Sequence, residues 1–166
     1  MLKNNPISFD GSYIKEVTAV VLSWDDFVKV FIDDPKMARR DKIFNEYKRY
    51  LEDLTEIIDN CAYKQWVDGS FTTKKTNPTD IDIVTFLPEE TYQRFETKLE
   101  LLTKPKVQVL YNGLIDAYIL PDTEANRNAW FLEFIRVKGR NKKPIPGKRK
   151  GFIELIFQKK DSKNEK

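Results

Sequence analysis

Between Trp66 and Ile83 an apolar run ends in Gly69-Ser70, nine residues intervene, and an Asp-x-Asp pair, Asp80 and Asp82, opens a second apolar run. Tyr63 to Val67 and Asp80 to Leu87 read as strands. β-Branched and aromatic residues dominate them, and the Gly-Ser turn and Pro88 punctuate their ends. Side chains alternate along a strand, so Asp80 and Asp82 share one face about 7 Å apart while Ile81 and Ile83 fill the other. Two carboxylates so placed repel unless a cation lies between them, and hard divalent ions take oxygen ligands. A third acid, Asp116, interrupts the apolar run Leu114 to Leu120, where a carboxylate needs a partner.

The flanking segments predict an α+β domain. Ser23-Trp24-Asp25-Asp26 reads as a capping box opening a helix with Trp24, Phe27, Val28 and Phe31 inward, stopped at Pro35. Phe44, Tyr47, Leu51, Leu54, Ile58 and Cys61 recur every three or four residues, which predicts a long helix with Cys61 in its buried stripe. Residues 89–102 repeat the pattern with Tyr92, Phe95, Leu99 and Leu102. Lys106–Tyr111 and Leu114–Leu120 flank Asn112-Gly113, a strong hairpin signal, which predicts an antiparallel pair with Asp116 facing Val109. A helix carrying Ala129, Trp130, Leu132, Phe134 and Ile135, a basic loop and a strand from Gly151 to Phe157 complete the reading. Residues 1–22 form an arm with a turn at Asp10-Gly11 and an edge strand in Val17–Leu22, and residues from 159 a frayed tail.

With 166 residues the expectation is one domain over 1–166, and 40% apolar and 13% aromatic residues suffice for one core. No apolar run reaches the roughly 18 to 20 residues of a membrane span, and Met1–Pro6 carries no signal-peptide core, so the expected compartment is the cytoplasm. A single cysteine and no histidine exclude intramolecular disulfides, His-based triads, Cys-His dyads and ordinary zinc sites. What remains is carboxylate, lysine, hydroxyl and hard-metal chemistry. The formal charge of +3 is unevenly spread: Lys138 to Lys150 holds seven cations and no acid, and the rest of the chain carries 22 basic against 26 acidic residues. Such a segment suits phosphate, on a nucleotide or on nucleic acid, and reads as a flexible loop serving affinity rather than chemistry.

The apolar-Gly-Ser turn, the spacer, the Asp-x-Asp strand and the later Asp resemble the polymerase-β-like nucleotidyltransferases over roughly residues 44–120. The order SWDDF, WVDGSF, DIDIV, hairpin and KGFIEL is similar to a group of small bacterial nucleotidyltransferase-like proteins. The resemblance implies a nucleotidyltransferase fold, with a mixed or antiparallel sheet carrying the acidic triad between flanking helices. It implies that Gly69 and Ser70 hold the triphosphate of an NTP, expected to be ATP. Asp80, Asp82 and Asp116 become catalytic residues and ligands of Mg²⁺ (or Mn²⁺), with Asp116 the candidate base. Many members carry a basic residue just after the turn, whereas Phe71-Thr72-Thr73 intervene here, which makes Lys74 and Lys75 the phosphate-binding candidates. The implied reaction moves AMP to an acceptor, a protein or an RNA such as tRNA, in a toxin-antitoxin or phage-defence setting. The alternative is an inactive module of the same fold that binds nucleotide, nucleic acid or a protein. Asp10-Gly11-Ser12 also offers a Gly-Ser turn, but the adjacent Asp25 and Asp26 would point to opposite faces of any strand.

Overall fold

The computed structural model describes residues 7–33 and 38–159. A hairpin, β1 (Phe9–Asp10) and β2 (Tyr13–Ile14), leads to the short strand β3 (Ala19–Val21) and to α1 (Trp24–Phe31), whose first turn is capped by the Ser23 hydroxyl accepting from Asp26 N–H. Then come α2 (Ala38–Ile57), β4 (Tyr63–Asp68), β5 (Ile81–Leu87) and α3 (Glu89–Leu99). The short α4 (Lys106–Leu110), β6 (Ile115–Pro121) and α5 (Glu124–Phe134) come next. A ribbon of β7 (Arg136–Lys138) and β8 (Pro144–Arg149) precedes the last strand, β9 (Phe152–Phe157). Five strands form one mixed sheet in the order β3-β9-β4-β5-β6, with β3/β9 and β5/β6 parallel and β4 antiparallel to both neighbours. Pro35, expected to stop α1, lies outside the described residues; the helix ends at Phe31.

Strand alternation gives this sheet two unlike faces. Val67, Ile81, Ile83, Leu87, Ile115, Ala117, Ile153 and Leu155 point one way and bury against Phe27, Phe31, Tyr47 and Leu54 of α1 and α2 and Leu99 of α3. Each buried Val, Leu, Ile or Phe among them contributes roughly 1.5–3 kcal/mol of hydrophobic stabilisation. A polar chain crosses this face: Tyr47 Oη donates to Gln65 Oε1 at 2.6 Å, and Gln65 Nε2 donates to Thr85 Oγ1 at 2.9 Å, tying α2 to β4 and β5, while the buried Tyr50 hydroxyl has no hydrogen-bond partner among the described residues. The other face carries a smaller cluster, Trp66, Val84, Phe86 and Phe152, covered by Phe134, Trp130 and Phe131 of α5.

Several expectations fail. Lys106–Leu110 is helical, not a strand, and Val109 is 83% exposed while Val107 and Tyr111 are buried one turn apart. Asn112 and Gly113 do adopt the positive φ that the hairpin required, 56° and 72°, but use it to end the helix, with Gly113 N–H donating to Gln108 O at 2.7 Å. Leu114–Leu120 therefore supplies no antiparallel partner to its predecessor; β6 lies parallel to β5, and Asp116 faces Asp82 instead of Val109. The basic segment is a two-stranded ribbon rather than a flexible loop. Cys61 falls beyond α2, half-buried against the core rather than in the helical stripe.

Candidate active site

Register turns three separate acids into a row. Asp68 pairs with Asp82 across β4/β5, and Asp82 pairs with Asp116 across β5/β6. In-register partners point to the same side of a sheet and neighbouring strands lie about 4.8 Å apart, so the three carboxylates stand abreast on the α5 face, at one end of the sheet. They line a cleft of about 680 Å³ with Gly69, Ser70, Lys75, Lys104, Lys150 and the aromatic pair Tyr118 and Trp130, whose ring centroids are 4.9 Å apart. That volume lies in the range of small-molecule sites.

The Gly69-Ser70 turn is built around Asp82. Gly69 has φ +79°, and a Cβ at this position would lie 1.8 Å from Asp82 Oδ2, so glycine alone lets the backbone pass so close to the carboxylate. Past the turn, Ser70–Thr72 coil into a single 3₁₀ turn, and the fully buried Arg40 of α2 anchors the loop from Phe71 to Lys75. Its guanidinium donates to the carbonyls of Phe71, Thr73 (2.8 Å) and Lys75 (2.6 Å), and packs over the Phe71 ring at 5.0 Å. The Asp10-Gly11-Ser12 turn, which lacks the geometry of a site by itself, braces this loop: Ser12 O accepts from Lys74 N–H at 2.9 Å.

Charge is concentrated and only partly compensated. Burial, reinforced by the charges of Asp80, Asp68 and Asp116, pushes the Asp82 carboxyl up to about 7. Asp68 is held above the ordinary carboxylate range by burial, against the pull of Lys150, whose Nζ is ion-paired to it and also donates to Phe134 O at 2.9 Å. Burial likewise raises Asp80, which accepts from Thr79 Oγ1 at 3.3 Å. Asp116 Oδ2 is bridged by Lys104 Nζ at 3.0 Å, a contact that raises the lysine's pKa, while Asp116 Oδ1 is buried without a hydrogen-bond partner among the described residues. A lone carboxylate oxygen removed from water carries a desolvation penalty that a cation or donor would relieve.

Of the residues singled out from sequence, Gly69, Ser70, Lys75, Asp82 and Asp116 line this cleft. Asp80 sits just before β5, off the cleft lining, and acts on Asp82 as the strongest of the neighbouring charges. Lys74 turns away, with Nζ over the Phe9 ring at 5.1 Å. Among the described residues no group of three or more acids is gathered closely enough to hold a metal ion. Asp68, Lys104 and Arg40 were not singled out, and Lys150 only as one cation of the basic segment. Asp68 reads as a turn residue before Gly69, Lys150 hides within a run of cations, and Arg40 within the charged start of a helix. No helix among the described residues is long and apolar enough to cross a membrane.

No curated protein and no solved structure matches the chain. Over residues 7–156 it matches a family of unknown function (DUF6932), and the chain belongs to that family.

Proposed function

We propose that this chain is a metal-dependent nucleotidyltransferase that moves a nucleoside monophosphate, AMP from ATP, to an acceptor, and that its fold is that of the nucleotidyltransferases. The observation that carries the reading is the in-register pairing of Asp82 with Asp116 beside a Gly-Ser turn that wraps the Asp82 carboxylate. The residues suit a divalent ion on two grounds: Asp116 Oδ1 is a buried oxygen with no partner among the described residues, and Asp82 is crowded by three other acids. Mg²⁺ commonly takes one or two carboxylates and completes its shell with waters and substrate phosphates, so Asp82 and Asp116 would hold it, with Asp80 adding charge from outside the cleft. Such an ion, when bound, neutralises triphosphate charge and lowers the pKa of the attacking hydroxyl.

The chain's own residues define the remaining work. Ser70 lines the cleft beside the carboxylates, and Lys75 and Lys104 bring cations toward phosphate oxygens. Asp116, whose Oδ1 has no partner among the described residues, is the candidate base for the proton of the attacking hydroxyl. Tyr118 and Trp130 offer a wall on which a nucleobase stacks.

A second reading, a binding module without catalysis, is favoured by the lysines already engaged at the row: Lys104 on Asp116 and Lys150 on Asp68. The two separate on one experiment. With α-labelled ATP, Mg²⁺ or Mn²⁺ and candidate protein and RNA acceptors, an enzyme transfers label and releases pyrophosphate, and Asp82→Asn loses both. A module binds nucleotide without transferring label, and no metal restores it.

A further inference from the structure

The ribbon β7/β8 carries charge that the described residues neutralise only in part: Lys142 acts on Asp80 and Lys138 on Asp68 from a distance. Arg140, Lys142, Lys143, Lys148 and Arg149 are exposed, and among the described residues none of them forms an ion pair with a carboxylate. The acid that does pair with the ribbon, Glu133 of α5, is shared between Arg136 at 3.5 Å and Lys138. Arg136 and Arg149 are direct cross-strand partners, an arrangement of like charges that weakens a two-stranded ribbon unless an anion lies over it. The ribbon also abuts the cleft: Arg136 and Lys138 form part of its lining, and Lys150, the residue after β8, is ion-paired to Asp68 on its floor.

We infer that the β7/β8 ribbon is a docking surface for the sugar-phosphate backbone of RNA, leading an unpaired RNA end into the carboxylate cleft. Making that RNA the acceptor rests on the nucleotidyl-transfer reading; the docking does not. An acidic protein is a poorer fit, because protein interfaces need aromatic or apolar anchors, and the ribbon offers only the half-buried Ile145 and its flanking prolines. The same lack leaves nothing to insert into a bilayer. Carboxylates on the floor of a cleft are out of reach of a base-paired strand. RNA commonly supplies unpaired ends, whereas duplex DNA does not.

The test is fluorescence anisotropy with a labelled RNA hairpin bearing a short 3′ overhang, a blunt-ended DNA duplex of the same length, and a polyglutamate peptide, from 50 to 200 mM salt. Four phosphate contacts predict a loss of affinity of roughly 50- to 150-fold across that range. A variant with Arg140, Lys143, Lys148 and Arg149 all changed to Ser, checked by thermal melting, is expected to bind the RNA at least tenfold more weakly at 50 mM salt and with a flattened salt dependence. Equal binding by the ribbon variant, or equal or tighter binding of the DNA or the peptide, overturns the inference. RNA binding that depends on the ribbon, in a protein that transfers no label from ATP, upholds the docking and removes the nucleotidyl-transfer reading alone.

Discussion

The two faces of the central sheet solve the problem of buried polar groups in opposite ways. On the α2 face, Tyr47, Gln65 and Thr85 complete one another's hydrogen bonds within an apolar layer. On the α5 face, three acids stand abreast, compensated by two lysines, with one carboxylate oxygen left without a partner among the described residues. The first arrangement specifies a fold. The second holds a charge imbalance that the folded chain tolerates because the other face is so well packed, and such imbalance is characteristic of sites that bind or react.

The contrast breaks most visibly through Arg40, the residue that ties α2 to the loop after the Gly-Ser turn. Arg40→Met leaves three backbone carbonyls without their donor, and a loss of about 3 kcal/mol or more is expected in urea melts. Gly69→Ala, which drives a methyl group into the Asp82 carboxylate at a positive φ, is expected to cost about 2 kcal/mol and to abolish nucleotide binding by calorimetry.

Asp82→Asn should act with the opposite sign. The folded protein holds this carboxyl at about 7, above its ordinary range, so ionising it penalises the fold progressively as pH rises from about 4 through 7. In metal-free buffer the asparagine variant should therefore be more stable than wild type at pH 8, by on the order of 1–2 kcal/mol, and indistinguishable from it at pH 4. A destabilised variant at pH 8 would mean that the carboxylate is structurally satisfied. The smallest effect is expected from Val109→Lys, within about 0.5 kcal/mol, since this side chain projects into solvent from α4. A large loss there would favour the strand-and-hairpin arrangement over the helix.

Much of the α2 face was legible because helical and strand periodicity report burial directly, as Tyr47 and Leu54 or Ile81 and Ile83 do. The Gly-Ser turn and the acids Asp82 and Asp116 were legible for the converse reason, being polar interruptions in apolar runs. Register was not legible. Asn112-Gly113 signalled two residues at positive φ, and the same backbone conformation closes a hairpin or ends a helix; only the packing of Val107 and Tyr111 selects the second. With that choice Asp116 moves beside Asp82. Asp68 and Lys150 lie 82 positions apart, and their pairing is a property of β4 and the ribbon meeting at the cleft.

The central claim is that the α5 face is a cation-dependent phosphate site, and calorimetric titration of Mn²⁺ into the protein with a non-hydrolysable ATP analogue, at pH 6.5 in two buffers of different ionisation enthalpy, tests it most directly. Binding is predicted in the wild type with release of up to one proton, because the ion must displace the proton held by Asp82, and it should disappear in Asp82→Asn and Asp116→Asn. Binding of equal strength in those variants, or none in the wild type, would contradict the account.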